Sequence, residues 1–562
     1  MASSRLTKAV AVALLLLLLN AACQSDDADN GKRDADNAGT RGDGATGAST
    51  WMKRSCELPA RYLELIRRGD FPGRSPDIAV VPAAPNFFGS FAVTSHSGPW
   101  RYLQKVPLAF YGPGFIRSQG EISLDREVTV ADLAPTLAEL LDVEWPDDRG
   151  GRPLEEVLVP REERPGSPKM ILVVVWDGGG WNVLTRWPGA WPQLRKLMKQ
   201  GTSMAGTSVG SSPSVTPAIH ASIGTGAFPR EHGIVDLSRR DGKEVVGSFA
   251  EDRPDDMELM TLADIFDPTT GNEAKVGMLA ERNWHMGMIG GGSSIEGGDK
   301  DILVLGEAGK KYYSNGDFYT FPKYVTDVPG LAEDVRRVDL EDGRLDGSWA
   351  GHPILNEPEK FRQTPVSTLY QTRVLKRLFN REGFGNDDIP DLFYTNYKQP
   401  DLAGHIFNMV NPEMRSSLRF ADEQFAELKA WLDKRVGEGN YVLALTADHG
   451  MGPDPRTVGA WPIDIEELMT DAAKHFGVNQ SAIFQKQRIT GFWLNRKAMT
   501  NNGISIGQLA DFFIRYKLRH NATKTVPSQY SDRLDERLFA GAFPSNRLDD
   551  VMECARGDGG NN

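Results

Sequence analysis

The chain has 562 residues, 40% hydrophobic and 25% charged, and a net charge of −12. That composition supports a packed core and excludes a disordered or fibrous protein, and the acidic balance argues against binding nucleic acid through a basic surface. Three cysteines are too few for a disulfide-dense scaffold, and the only long apolar run lies at the N-terminus, which excludes a multi-span membrane protein.

Arg5 and Lys8 flank the start of an apolar run over residues 9–19, too short to cross a bilayer as a helix. Ala21, Ala22 and Cys23 follow. Residues 1–22 resemble a bacterial lipoprotein signal peptide, after which Cys23 is lipidated and becomes the first mature residue. Asn20 stands where such signals prefer an aliphatic residue, so conventional cleavage near Ala22 is the alternative. Residues 23–50 are rich in Asp, Gly, Ala, Asn and Ser and read as a disordered tether. An exported protein held to a membrane by its N-terminal lipid, in the periplasm or at the cell surface, is the expectation. The folded part should begin near Trp51.

Residues 78–81 and 106–111 read as strands. Residues 171–176 are a continuous apolar, β-branched run, the pattern of a buried parallel strand. It ends in Asp177-Gly178. Residues 392–395 are a similar run, followed by Pro400-Asp401 and Gly404-His405; residues 441–446 end in Asp448-His449-Gly450. Helical patterns lie between these strands. Pro192 can start one and Gly201 stop it, and residues 414–436 form a long one with Leu418, Phe425, Leu428 and Leu432 available for a core. Alternation of this kind predicts an α/β fold, a large mostly parallel sheet with helices on both faces. Ligands of such sheets bind beyond the carboxyl ends of the strands, where these Asp and His residues fall. Their oxygens and nitrogens suit zinc.

Thr216-Pro217 opens another helix. Pro217 is a good first helical residue, which would make Thr216 the N-cap, its hydroxyl beside free backbone N–H groups. The residues here leave two readings open, a simple cap or a nucleophile.

Asp177-Gly178, the stretch from Thr216 to His232-Gly233-Ile234, Pro400-Asp401 with Gly404-His405, and Asp448-His449-Gly450-Met451 occur in this order. Together they resemble the alkaline phosphatase superfamily, in particular its nucleotide pyrophosphatase/phosphodiesterase group and the related monoesterase branch with a Thr nucleophile. The resemblance implies two Zn²⁺ ions, one held by Asp177, Thr216, Asp448 and His449, the other by Asp401, His405 and one more histidine. It also implies a covalent intermediate on Thr216.

In that family the last histidine follows the Asp-His-Gly motif. Here only His475 and His520 do, without the expected neighbours. Thr94-Ser95-His96-Ser97-Gly98 and the strand after it resemble the family's late histidine segment, and residues 128–141 its final helix. The sequence therefore looks circularly permuted, with His96 as the remaining ligand. Residues 51–160 would be the family's C-terminal part, and residues 161–562 the rest of the catalytic domain with a cap insert at about 290–370. Tyr312, Tyr313 and Tyr324 would belong to a lid that selects the leaving group.

The monoesterase branch binds the extra phosphate charge with a Lys and an Arg, and places an Asn after the nucleophile helix. Here Arg282 matches the Arg, Ala280 stands at the Lys position and Leu237 at the Asn position. Both losses cost a dianionic monoester more than a diester. A small-molecule phosphodiester, nucleotide or pyrophosphate substrate is expected. A monoesterase of the same superfamily and a non-catalytic zinc-binding surface lipoprotein are the alternatives.

With Cys23 lipidated, Cys56 and Cys554 remain. In an unpermuted relative the chain near Cys554 would run into the region of Cys56, so the two should lie close and form a disulfide in an oxidising compartment. Its loop closure would contribute roughly 5 kcal/mol. Two unrelated thiols are the alternative.

Overall fold

The computed structural model describes residues 49–89, 94–522 and 526–557. Cys23, the signal peptide and nearly all of the tether lie outside them. Among the described residues no helix is long and apolar enough to cross a membrane.

The centre is an eight-stranded sheet. Its strands lie in the order Ile302–Leu305, Val276–Ala280, Asp391–Tyr397, Met170–Trp176, Tyr441–Thr446, Leu108–Tyr111, Thr202–Met204 and Gly120–Ile122. Only Leu108–Tyr111 runs against the others. The apolar run 170–176 is continuous because both faces of its strand are covered. Leu172, Val174 and Trp176 enter one core with the helices Pro192–Gln200, Val366–Glu382 and Pro412–Leu432. Ile171, Val173 and Val175 point the other way, into a core with Leu133–Leu141 and Thr216–Thr225. Alternate residues of a strand face opposite sides, so both layers are paid for by one segment. Leu418, Phe425, Leu428 and Leu432 are all buried, as their spacing predicts.

Register decides where the functional residues emerge. Tyr397 pairs with Trp176 and Thr446 with Val175, so three parallel strands end level. The residues after them, Asp177, Lys398 to His405, and Asp448-His449, leave the sheet at one edge. The reversed strand adds a fourth segment. Leu108 pairs with Thr446, so this strand starts at that same edge and the residues preceding it, His96 among them, are delivered there.

The strand Ile78–Pro82 belongs elsewhere. It is antiparallel to Gly491–Leu494 on one side and Phe539–Pro544 on the other, in a second sheet of four strands completed by Phe484–Arg488. A third core packs this sheet against the helices Thr50–Cys56, Ile465–Phe476 and Ile506–Arg515. The early and late parts of the chain thus share one sheet. Cys56 and Cys554 are joined there by a disulfide, with Cα atoms 5.8 Å apart.

Within the stretch expected to form a cap, Ile302–Leu305 is the edge strand of the main sheet, parallel to Val276–Ala280. The helix Leu331–Asp339 and several short turns follow. Tyr312 is buried in the first core, 6.5 Å from the ring of Tyr370.

Candidate metal and phosphoryl-transfer site

Four segments at the carboxyl edge bring six of the expected residues together, and a helix start adds a seventh. His96, Asp401 and His405 form one group of donor atoms, and Asp177, Asp448 and His449 another. Thr216 lies beside them.

The first group is compact. The Nε2 atoms of His96 and His405 are 3.2 Å apart, and each faces Asp401 Oδ1, at 3.5 and 3.2 Å. In the second group His449 Nε2 is 3.4 Å from Asp177 Oδ1 and 3.2 Å from Asp448 Oδ2. Four ligands at zinc-like bond lengths of about 2.05 Å in a tetrahedron are separated by about 3.3 Å, so both groups have the spacing of donors around one ion.

Every histidine here is fixed through Nδ1. His96 Nδ1 donates to Ser214 O at 2.9 Å, His405 Nδ1 to Thr94 O at 2.7 Å and His449 Nδ1 to Gly450 O at 2.9 Å. A carbonyl oxygen only accepts, so Nδ1 carries a proton and Nε2 is left facing the donor groups, with a free lone pair wherever no second proton sits on it. A backbone partner of this kind orients a metal-ligating histidine and sets its tautomer. Asp401 Oδ1, Asp448 Oδ2 and His449 Nε2 are buried with no hydrogen-bond partner. Such atoms are costly to bury unpaired, and all three point to cations as what completes them. The residues fit two divalent ions with N and O ligands.

Electrostatics agrees. Burial alone would raise the Asp177 and Asp401 carboxyls, but Lys398, helped by neighbouring histidines, holds both well below the ordinary carboxylate range. Asp448 is pushed up by burial and by the charge of Asp177. Burial opposes a charge on His449, yet Asp448, Asp177 and Asp401 draw its imidazole up to about 10. Three carboxylates against one ammonium leave unmet negative charge, which a proton on His449 partly answers and a divalent cation would answer fully.

Two glycines permit the close approach of the loops. Gly178 has φ +70°, and a Cβ there would lie 2.9 Å from Asp401 Cα; its N–H donates to Asp448 Oδ1 at 3.0 Å. Gly180 sits so tightly against the next loop that a Cβ would meet Gly450 Cα at 2.5 Å.

Thr216 is the first residue of the helix Thr216–Thr225, and Val215 is the N-cap. The expected cap position is corrected by one residue, because Pro217 occupies the second helical position rather than the first. The hydroxyl still lies at the helix N-terminus and the residue is buried, 5% exposed.

Lys398, Asn396, His220 and His285 were not singled out by the sequence. Lys398 Nζ lies 3.0 Å from Asp177 Oδ1, 2.7 Å from Asp401 Oδ2 and 3.2 Å from Thr216 Oγ1. Asn396 Nδ2 donates to Asp177 Oδ2 at 3.1 Å and to His220 Nε2 at 2.9 Å. His285 Nε2 is 3.3 Å from Asp177 Oδ2. The signal for Lys398 was the one that found Asp401, a charged residue just past a strand end.

The Arg282 carbonyl accepts from His285 Nδ1 at 2.8 Å, while its side chain faces two carboxylates. Its guanidinium is 3.6 Å from both Glu281 and Glu307, and Arg362 pairs with the same two carboxylates. Ala280 ends its strand fully buried.

The model of the family "Type I phosphodiesterase / nucleotide pyrophosphatase" matches residues 171–541. A Myroides odoratus protein named calcium-transporting ATPase is 22% identical over 52% of this chain and 62% of its own length. Alkaline phosphatase PafA of Elizabethkingia meningoseptica is 23% identical over 61% of this chain and 72% of its own. The match thus spans less than two thirds of the first of these relatives. The crystal structure of wild type PafA superposes with a TM-score of 0.52 at 17% identity, covering 68% of this chain and 84% of that one, which shows a shared fold.

Proposed function

Since the chain belongs to the type I phosphodiesterase/nucleotide pyrophosphatase family, we propose that it hydrolyses phosphate esters through a covalent intermediate on Thr216, preferring phosphodiesters or pyrophosphates. The observation that carries this reading is the buried Thr216 hydroxyl at a helix N-terminus, beside two donor groups of zinc-like spacing.

Asp177, Asp448 and His449, with Thr216, would hold one zinc ion, and Asp401, His405 and His96 the other. When bound, such ions supply Lewis-acid stabilisation of charge on the phosphoryl group. The chain's own part is positional. The helix Thr216–Thr225 fixes the nucleophile and directs its first backbone N–H groups toward an incoming anion. In the first step Thr216 Oγ1 gives up its proton to solvent, an Oγ–P bond forms, and the leaving-group P–O bond breaks with its electron pair going to the departing oxygen. In the second, water attacks phosphorus and the P–Oγ bond breaks, returning the electron pair to Thr216 Oγ1, while the water gives up a proton to solvent and Thr216 takes one back. Burial of all three carboxylates excludes bulk water and strengthens every electrostatic contact.

The diester preference is supported by what stands at positions 280 and 237. Ala280 and Leu237 offer no cation or amide to non-bridging oxygens, and Arg282 is engaged with Glu281 and Glu307. A monoesterase is the second reading, favoured by the relative named alkaline phosphatase. Zinc-loaded protein assayed on paired aryl monoesters and diesters separates them. A higher kcat/KM for the diesters is expected, and a higher value for the monoesters would replace this preference.

Two further expectations belong to the same reading. Residues 51–160 would be the piece that follows the Asp-His-Gly motif in relatives, moved to the front. This is supported by a family match that starts at 171 while His96 and Leu108–Tyr111 complete the site and sheet. Export and lipid anchorage through Cys23 would place the enzyme on a membrane facing an oxidising compartment, and the disulfide suits such a place.

A further inference from the structure

Lys398 follows the strand Asp391–Tyr397 and is 6% exposed. A lysine is seldom buried without partners, and each of its three neighbours belongs to the proposed machinery. Two are carboxylates, Asp177 and Asp401, one from each donor group. The third is Thr216 Oγ1.

Of the carboxylate oxygens it uses, Asp177 Oδ1 also faces His449 Nε2 in the second donor group, and Asp401 Oδ2 lies outside the first. On Asp401 the ammonium takes Oδ2, while Oδ1, which faces His96 and His405, is the unpartnered atom. Asp448 Oδ2 and His449 Nε2 are likewise unpartnered. Lys398 therefore leaves the Asp401 group free, and at Asp177 Oδ1 and Thr216 Oγ1 it would share with an ion oxygens that each have a further lone pair. Charge is consistent with that. Three buried carboxylates around one ammonium still leave a site that calls for cations.

We infer that Lys398 is a further catalytic residue, donating a hydrogen bond to Thr216 Oγ1 and stabilising the negative charge that this oxygen carries. The inference rests on the nucleophile assignment above. Its consequence differs between the two steps. In the first step Oγ1 is the attacking atom, and an aryloxide leaves with the electron pair of the broken P–O bond. In the second step Oγ1 is itself the leaving atom and takes up the electron pair of the P–Oγ bond. An alkoxide is a far poorer leaving group than an aryloxide, so stabilisation at Oγ1 matters most when the phosphothreonine is hydrolysed. The ammonium also compensates from a new direction for the cation missing at Ala280. It addresses the nucleophile oxygen, whereas a lysine at position 280 would address the non-bridging oxygens.

The test is stopped-flow and acid-quench kinetics of zinc-loaded Lys398→Met and Lys398→Arg with an aryl phosphodiester, alongside metal counts. The Met variant should release one equivalent of aryl alcohol per chain in a rapid burst, then turn over about 100-fold more slowly than wild type. Mass mapping of the quenched sample should find the phosphoryl ester on Thr216, and the metal count should equal that of wild type. The Arg variant, which keeps a donor and a charge, should recover part of the second step. Wild-type turnover in the Met variant, slow turnover without a burst or trapped ester, or loss of metal from the Met variant would each reject the role. Thr216→Ala keeps the two readings apart. If it is inactive while Lys398→Met turns over normally, the lysine is rejected and the nucleophile stands; if it is active, both fall.

Discussion

His96 and Ser214 hold each other through two reciprocal hydrogen bonds: His96 Nδ1 donates to Ser214 O at 2.9 Å, and Ser214 Oγ donates to His96 O at 2.6 Å. Ser214 lies two residues before Thr216, so this clamp ties an expected metal ligand to the loop of the proposed nucleophile. It also stacks His96 on His449, with ring centroids 3.4 Å apart and planes 4° from parallel.

Ser214→Ala removes one bond of the clamp and leaves every donor atom in place. Metal affinity should fall about 10-fold, the lower end for outer-shell partners of metal ligands. Competition against a chromophoric chelator measures it, and an affinity equal to wild type would show that the clamp does not orient His96.

His96→Ala removes one of the three donors of the His96, Asp401 and His405 group. One zinc per chain should be lost and most activity with it, while His475→Ala, a histidine packed on Phe476 and Phe512, should be nearly silent. An unchanged zinc count in the His96 variant contradicts the ligand assignment and the permuted order together.

Cys56 and Cys554 close a loop spanning 498 positions. Replacing both by Ser should lower unfolding stability by about 2–5 kcal/mol and leave the metal content unchanged, because the bridge lies in the layer of the second sheet. Denaturant unfolding with and without the bridge reads the difference; equal midpoints would mean that the strand pairing alone fixes this end of the fold.

Much of this was legible from local pattern. The continuous run 171–176 announced a strand covered on both faces, and the acids and histidines after three such runs announced the site's edge. His96 was reachable through its neighbours. What was not legible depended on long-range register and side-chain competition. Ile78–Pro82 has the composition of a core strand, and only its pairing with Phe539–Pro544 puts it in the second sheet. The carboxylates facing the Arg282 guanidinium, Glu281 and Glu307, come together with it only in the fold. Lys398 has no pattern of its own in the sequence. Its burial follows from the level ends of the three strands, which crowd Asp177, Asp401 and Thr216 around it.

A pH effect on stability follows from Asp422, whose carboxylate accepts from the N–H groups of Gln193 and Leu194 at the start of a neighbouring helix. Burial outweighs these two bonds and pushes it up to about 6. The folded state then holds this proton more tightly than the unfolded chain, whose Asp titrates near about 3.9. The stabilising contribution is complete below about pH 4 and is lost as pH rises through about 6. Asp422→Asn keeps an acceptor without a charge. The melting temperature of the variant relative to wild type should therefore rise between pH 4 and pH 8, and a difference independent of pH would contradict the raised value.

The most direct test of the whole account is Thr216→Ala, assayed for turnover and for zinc in the same preparation. The predicted result is two zinc ions per chain with turnover of an aryl phosphodiester reduced by about 10³-fold or more, because Asp and His residues supply most of the metal affinity while Thr216 supplies the attacking oxygen. A variant that keeps its zinc and more than about one hundredth of wild-type turnover, against the loss expected for a deleted nucleophile, would contradict it.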